Sequence, residues 1–209
     1  MDVDAIIKRR LEEFEELGRK GESVFDFSPF IDLRLKATLM TELAFCISTA
    51  NSSALAGLRF QKSLERLNPK VLSVEDFERL LKSAGVRFAN RKAEYVFKAL
   101  QNFDIVEKAL KLKSSEARTF LVKNVRGLGY KEASHFLRNV GRKDVAIVDR
   151  HILRWLKENG YLEEIPRSVS AKSYEKIERT LKKIAKDEDK SLAELDLMLW
   201  FEMTGKVLK

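Results

Sequence analysis

The chain has 209 residues, 44% of them hydrophobic, which is enough to bury a core in one large domain or two small ones. No apolar run reaches about 18 residues, which excludes a membrane-spanning helix, and the acidic residues 1–4 lack the order of a targeting signal. A single cysteine, Cys46, excludes an intramolecular disulfide and a four-cysteine iron–sulfur cluster. We therefore expect a cytoplasmic protein without a cofactor or a structural metal, whose net charge of +8 favours a polyanionic partner.

Apolar residues recur at helical spacing along most of the chain, and no segment has the sustained alternation of a β-strand. The sequence therefore predicts an all-α fold. Helices are predicted at residues 4–17, 33–50, 51–67, 73–84, 90–100, 102–112, 115–126, 131–140, 149–159, 173–186 and 191–203. Between the first two of these helices, residues 18–29 are expected to form a connector held to the core by phenylalanines.

Positive charge is concentrated in one part of the chain. Between Lys123 and Arg154 there are eight basic and three acidic residues, a surplus of five, whereas the first seventeen residues carry more acid than base. A charged surface that only contacts solvent is the simpler interpretation. The localisation of the charge nevertheless favours a surface that binds a nucleic-acid backbone.

The segment Gly-Leu-Gly-Tyr-Lys at residues 127–131 separates the predicted helices 115–126 and 131–140. Two glycines separated by one apolar residue allow a tight turn with positive φ and expose backbone N–H groups. The N–H groups of this turn and of the following helix start are suited to hold a phosphate oxygen. The sequence therefore predicts a helix-hairpin-helix that binds a nucleic-acid phosphate.

Lys131 and Asp149 begin two successive helices beside this turn. Lys131 fits either a nucleophilic amine or a simple phosphate ligand, and the hairpin alone does not separate the two. The helix dipole and burial in a cleft would both disfavour the ammonium form that a nucleophile must lose. Asp149 is a favoured residue for a helix N-cap, a role that would also fix its carboxylate in the cleft.

Gly-Leu-Gly-Tyr-Lys at residues 127–131, followed by Val-Asp-Arg-His at residues 148–151, resembles the helix-hairpin-helix glycosylase superfamily of base-excision repair, in its bifunctional lysine branch. The compact length and the ending at residues 204–209 resemble its archaeal-type 8-oxoguanine DNA glycosylase/AP lyases. This resemblance implies a two-domain fold. Residues 36–146 would form a six-helix barrel with the hairpin at about 115–140, and residues 1–35 and 147–209 a second helical domain.

The resemblance also implies a mechanism. Lys131 would attack the anomeric carbon of the sugar and form a Schiff base, which permits strand cleavage by β-elimination. Asp149 would stabilise positive charge developing on the sugar and assist proton movement from Lys131. His151 matches a family histidine that helps hold the DNA strand, although a structural histidine is a serious alternative there.

Four further residues are predicted to contact DNA. Gly127 and Gly129 belong to the phosphate-binding turn. Asn51 resembles the family residue that fills the space left by the flipped base, with a helix cap as the alternative. Phe88 aligns with the wedge that unstacks the neighbouring base pair, although the sequence alone favours a phenylalanine in the core.

The pocket for the damaged base is predicted from four residues. His135, one helical turn after Lys131, could stack on a purine, or it could be a core histidine. Trp200 could stack on the lesion, and Asp196, one turn earlier, could accept hydrogen bonds from the base; a core tryptophan and a solvent-facing aspartate are the alternatives. Lys209 resembles a C-terminal lysine that distinguishes 8-oxoguanine from guanine, with a frayed end as the alternative.

The resemblance thus implies a monomeric bifunctional enzyme that acts on double-stranded DNA containing 8-oxoguanine or abasic sites. We expect it to work in the cytoplasm, associated with the nucleoid and not with a membrane. Two other functions stay open. One is a glycosylase for oxidised pyrimidines of the endonuclease III type, which the missing cluster cysteines disfavour. The other is a non-catalytic helix-hairpin-helix module, which would bind a duplex without forming a covalent intermediate. An alkylpurine glycosylase without lyase activity is disfavoured because it would lack the hairpin lysine.

Overall fold

The computed structural model describes residues 2–209, and helices dominate this part of the chain, which confirms the predicted fold class. The helices are α1 (Val3–Lys20), α2 (Leu39–Thr49), α3 (Ala54–Leu64), α4 (Val74–Ser83), α5 (Ala89–Gln101), α6 (Phe103–Leu110), α7 (Ser114–Asn124), α8 (Tyr130–Asn139), α9 (Arg150–Glu158), α10 (Ala171–Asp187) and α11 (Leu192–Thr204). A 3-10 turn at Pro69–Val71 precedes α4. Within residues 2–209 no helix is long and apolar enough to cross a membrane.

The prediction that the chain contains no strand was wrong. Strands β1 (Glu22–Asp26) and β2 (Arg34–Thr38) form an antiparallel pair in which Val24 lies opposite Lys36. They occupy part of the predicted connector and the start of the predicted helix 33–50. Their burial alternates as a strand requires, but over only five residues each, which is too short for the period to stand out from the helical pattern around it.

Caps explain two further corrections to the predicted helix boundaries. Helix α2 begins only after Thr38, whose hydroxyl accepts a hydrogen bond from the Thr41 backbone while the Thr41 hydroxyl accepts one from Thr38. Helix α3 begins at Ala54 behind the Ser53 cap rather than at Asn51. The caps on either side are Ala50 and Ser53, and Asn51, with a φ of 52° in the left-handed region, lies in the turn between these helices.

Two clusters of buried apolar side chains form the core. The larger gathers side chains from α1, the strands and α2 to α8, and it also includes Val207 and Leu208 from beyond α11. The smaller is built from residues 146–199, on α9, α10 and α11 and the segment before them. Helix α8 packs against α2 and α1, so the second helix of the hairpin is held firmly by the larger core. The division into domains at residues 36–146 stays a prediction.

A buried ion pair links the hairpin to α10. The Arg118 guanidinium on α7 donates to both carboxylate oxygens of Glu178, at 2.6 and 2.8 Å. One of these oxygens also accepts a hydrogen bond from the Ala146 backbone at 2.9 Å. Such bidentate geometry fixes orientation as well as distance, so α7, α10 and the segment that leads to Asp149 are joined at one point.

The turn between α7 and α8 requires glycine at residue 127. Gly127 has a φ of 98°, which few L side chains adopt, and a Cβ there would lie 2.8 Å from the Tyr95 ring. Backbone conformation and packing therefore exclude a side chain at this point. The tight turn places Gly129 directly before α8, as its N-cap.

Candidate active site

Two adjoining cavities open between the start of α8 and the start of α9. The larger has a volume of about 610 Å³ and the smaller about 380 Å³. The residues that line both are Thr49, Ser52, Ser53, Lys131, Asp149 and His151. Three predicted site residues therefore lie where the two cavities meet, although their positions in the sequence span twenty residues.

Lys131 lies in the first turn of α8, with its side chain 27% exposed. Its Nζ is 3.1 Å from Oε1 of Glu132, and Oε2 of that same carboxylate accepts a hydrogen bond from the Gly129 backbone at 3.2 Å. Glu132 was not predicted as a site residue and stood only among the three acidic residues of a basic segment. Glu132 is the third residue of α8, the position at which a capping box carries Glu. This position is the signal from which its contact to the Gly129 backbone could have been predicted.

Asp149 is the N-cap of α9. Its Oδ1 accepts hydrogen bonds from the backbones of His151 at 2.8 Å and Ile152 at 2.9 Å. The capping interpretation is thus confirmed, and the cap also fixes the carboxylate in the lining of both cavities. A catalytic role stays a prediction, and the cap is compatible with it because one oxygen satisfies both backbone donors.

Aromatic rings border the smaller cavity. The His151 ring meets the Trp200 ring edge-on, with 4.9 Å between centroids. Among residues 2–209 the Trp200 Nε1 atom is buried without a hydrogen-bond partner, and so is Nε2 of His135. Both residues line this cavity. Because buried polar atoms are almost always paired, two unpaired nitrogens in one cavity suggest a ligand that would satisfy them.

His135 is buried, with its ring 5.5 Å from that of Phe45 and perpendicular to it within about 15°. Burial, reinforced by the charges of Arg138 and Lys131, holds the pKa of His135 well below its ordinary range. The imidazole is therefore neutral at physiological pH. Both interpretations from the sequence partly apply, because the side chain packs in the core and also lines the smaller cavity.

Asp196 does not face solvent, so that alternative was wrong. Its side chain is 14% exposed and its Oδ2 lies 3.6 Å from an Arg138 guanidinium nitrogen. Burial raises the pKa of Asp196 to about 6, with Arg138 opposing the rise and Asp149 adding to it. Asp196 lines the smaller cavity beside Arg138, a partner that the sequence analysis did not name.

Lys209 is not frayed, so that alternative was wrong as well. Its Nζ donates to Oε2 of Glu42 at 2.6 Å and to Oε1 of Gln61 at 2.7 Å, and the other oxygen of Glu42 accepts a hydrogen bond from Asn139 at 2.6 Å. The side chains of Lys209 and Glu42 are fully buried. Burial lowers the pKa of Lys209, and the Glu42 carboxylate opposes that shift.

The Lys209 side chain is therefore committed to the core. The whole residue is 6% exposed but its side chain 0%, so the exposed atoms belong to the main chain. Lys209 also lines the smaller cavity, next to Leu208. Any contact of this residue with a ligand in the cavity would therefore be made by its main chain rather than by its amine.

Asn51 and Phe88 lie at the periphery of the site. Asn51 lines the larger cavity. Phe88 precedes α5 with a φ of 60° and is 56% exposed, so the expectation of a core phenylalanine was wrong. The Arg87 guanidinium lies 5.4 Å from the Phe88 ring centroid, and Arg87 also lines the larger cavity. Gly127 and Gly129 do not line either cavity.

Two arginines that were not predicted as site residues also belong to the site. Arg150 and Arg167 line the larger cavity. Arg150 donates to the backbone oxygens of Pro166 at 3.3 Å and Arg167 at 3.0 Å, and it thereby holds the loop between α9 and α10 against the site. No local motif marks Arg167, because only the folded loop brings it to the cavity.

Comparisons with known proteins agree with one another. A family model described as 8-oxoguanine DNA glycosylase matches residues 7–190. A relative from Aquifex aeolicus, named 8-oxoguanine DNA glycosylase/AP lyase, is 42% identical and covers 100% of this chain and 95% of the relative. A relative of the same name from Methanocaldococcus jannaschii is 43% identical, with 100% and 94% covered.

Solved structures give the same result. The M. jannaschii 8-oxoguanine glycosylase/lyase in complex with 15mer DNA containing 8-oxoguanine matches with a TM-score of 0.87 at 41% identity, covering 100% of this chain and 94% of that one. The 8-oxoguanine DNA glycosylase of Thermotoga maritima matches with a TM-score of 0.85 at 36% identity, covering 98% and 92%. A trapped endonuclease III–DNA intermediate matches at 0.56 and 19% identity, which shows likeness of fold alone.

Proposed function

The chain belongs to the 8-oxoguanine DNA glycosylase family, and we propose that Lys131 and Asp149 are the residues with which it excises 8-oxoguanine from double-stranded DNA and then cleaves the strand. The observation that carries this proposal is that Lys131 and Asp149, at the starts of α8 and α9, line both cavities. An amine and a carboxylate beside a phosphate-binding turn are the groups that lysine-based excision requires.

The chemistry follows from these two groups. The neutral Lys131 Nζ forms a bond to the sugar C1′ while the bond from C1′ to N9 of the base breaks and its electrons leave with the base. Opening of the sugar ring gives a Schiff base. Loss of a C2′ proton then expels the 3′ phosphate by β-elimination. Asp149 stabilises the positive charge on the sugar during excision and takes part in removing the proton from Lys131.

The smaller cavity is the proposed site for the flipped base. Oxidation of guanine turns N7 from an acceptor into a donor, and Lys209, whose main chain lines this cavity, would offer its main-chain oxygen as the acceptor. Guanine would leave that oxygen facing a lone pair, which is costly in a buried site. The unpaired nitrogens of His135 and Trp200, with Asp196, offer further polar partners on the same lining.

The larger cavity and the hairpin are the proposed contacts to the DNA backbone. Gly127 and Gly129 would present backbone N–H groups to a phosphate, and His151 would help to hold the strand. At the edge of this surface the exposed Phe88 is suited to wedge between base pairs, and Asn51 to fill the space left by the flipped base. We also propose that residues 36–146 form one domain, that residues 1–35 and 147–209 form the other, and that the enzyme works at the nucleoid.

Borohydride trapping tests the proposed function. The protein is mixed with duplexes containing 8-oxoguanine opposite cytosine, an abasic site, or no damage, and a covalent adduct is expected with the first two only. An adduct with the abasic duplex but not with the 8-oxoguanine duplex would support the proposed lysine chemistry. It would contradict 8-oxoguanine as the substrate, in favour of a base such as an oxidised pyrimidine. Binding without any adduct would indicate a non-catalytic DNA-binding module.

Asp149→Asn is expected to slow excision of 8-oxoguanine by about 10²- to 10⁴-fold while leaving the fold intact. Asparagine still caps a helix well, but it lacks the charge that stabilises the developing cation. Single-turnover excision and the thermal midpoint are the measurements. Asp144→Asn is the matched control, because it makes the same change outside both cavities. An equal loss of excision in the two variants would remove the catalytic role from Asp149.

A further inference from the structure

Glu132 holds two groups that the proposed reaction needs. One carboxylate oxygen accepts the Gly129 N–H of the hairpin at 3.2 Å, and the other lies 3.1 Å from the Lys131 amine. The Glu132 side chain is only 14% exposed and lines the larger cavity. One internal anion therefore contacts both the hairpin donor that we propose for a phosphate and the proposed nucleophile.

A DNA phosphate cannot share this arrangement. The Gly129 N–H carries one hydrogen, and a phosphate oxygen that takes it in a short, linear hydrogen bond competes with the Glu132 oxygen for it. Two anions at one helix start also repel each other in a partly enclosed site. Docking of a phosphate on the hairpin must therefore displace the Glu132 carboxylate.

Displacement of Glu132 also changes Lys131. Both contacts are made by the two oxygens of one carboxylate, so a movement that frees the Gly129 N–H also breaks the contact to the amine. We propose that Glu132 is a positioning residue that stands in for a DNA phosphate and keeps the Lys131 amine paired until a strand docks on the hairpin. The inference rests on the proposed function, because it assumes that the hairpin binds a DNA phosphate and that Lys131 is the nucleophile.

Glu132→Gln separates this role from simple helix capping. The glutamine side-chain oxygen can still accept the Gly129 hydrogen bond, so the cap remains while the charge is lost. We expect the variant to bind an undamaged duplex about 5- to 30-fold more tightly than the wild type, since phosphate no longer displaces a charged competitor. Glu116→Gln, an exposed change of equal charge on α7, should tighten binding much less.

Equilibrium binding and single-turnover kinetics on the 8-oxoguanine duplex give the two readouts. In Glu132→Gln we expect the DNA concentration that gives the half-maximal rate to fall, while the maximal rate changes little. Glu132→Ala, which loses the cap as well, should lower the thermal midpoint and still bind DNA more tightly than the wild type. A simple capping role predicts weaker binding in that variant.

Binding by Glu132→Gln that is no tighter than by Glu116→Gln would overturn the inference. Borohydride trapping by the wild type, run beside these measurements, tests the proposed function separately. An adduct in the wild type without tighter binding by Glu132→Gln rejects the role of Glu132 alone. Absence of an adduct in the wild type rejects the lysine chemistry on which that role depends.

Discussion

Changing Lys131 to glutamine is expected to abolish the borohydride-trapped adduct and to slow both excision and strand cleavage by on the order of 10³-fold or more. An amide does not attack the sugar C1′ and does not form a Schiff base. Binding to a duplex should persist, because the hairpin backbone and the arginines of the larger cavity are unchanged. The adduct is measured on 8-oxoguanine and abasic duplexes, and binding is measured on both as well.

Lys92 is the rival amine that this experiment must exclude. Its Nζ donates to the Ser48 backbone oxygen at 2.7 Å, and burial, with the charge of Lys131 adding to the effect, lowers the pKa of Lys92 to about 8. An amine of this kind is more readily neutral than an ordinary lysine. Lys92 lines neither cavity, however, so Lys92→Gln should still give an adduct. An adduct that survives in Lys131→Gln and disappears in Lys92→Gln would reassign the nucleophile.

The parts of this molecule that the sequence could predict are governed by neighbouring residues. Helix periods and stops depend on residues three or four positions apart, and the tight turn at Gly127 depends on one short motif. Asp149 is similar, since capping is a local property. The β-hairpin was missed because five-residue strands leave too few alternations, and because Leu35 and Ala37, which are buried, fit a helical pattern equally well.

The parts that the sequence could not predict depend on contacts between distant residues. Glu42 and Lys209 are separated by 167 positions, and Arg118 and Glu178 by 60. A buried glutamate within an apolar helix gives no indication of its partner, and a lysine at residue 209 reads as exposed until its burial is known. For Phe88 the expectation failed in the other direction, because a phenylalanine expected in the core is exposed. It lies in a left-handed turn before α5, which the sequence did not indicate.

The ion pair between Glu42 and Lys209 is the feature whose loss should change substrate choice. Glu42→Gln leaves the Lys209 ammonium buried without a counterion, and breaking a buried pair in this way costs about 3–5 kcal/mol. The segment after α11 relieves that cost if it leaves the core and takes the amine into water. The main chain of Lys209 then leaves the lining of the smaller cavity.

We therefore expect Glu42→Gln to slow excision of 8-oxoguanine by about 10²- to 10³-fold, the order that the cost of the unpaired charge sets. Cleavage at an abasic site should change much less, because that step has no base to recognise and, by the proposed mechanism, depends on Lys131, Asp149 and the hairpin. The measurement compares single-turnover rates on the two duplexes. Glu12→Gln, the same change at an exposed position of α1, is the control.

A second substitution distinguishes lost positioning from general damage to the fold. Combining Glu42→Gln with Lys209→Met removes both charges, and neutral replacement of a buried pair is often tolerated. Residue 209 should then stay in the core with its main chain lining the cavity, and excision of 8-oxoguanine should recover most of the lost rate. Equal losses on both duplexes in Glu42→Gln, or no recovery in the double variant despite a restored thermal midpoint, would contradict the role of this pair in positioning residue 209.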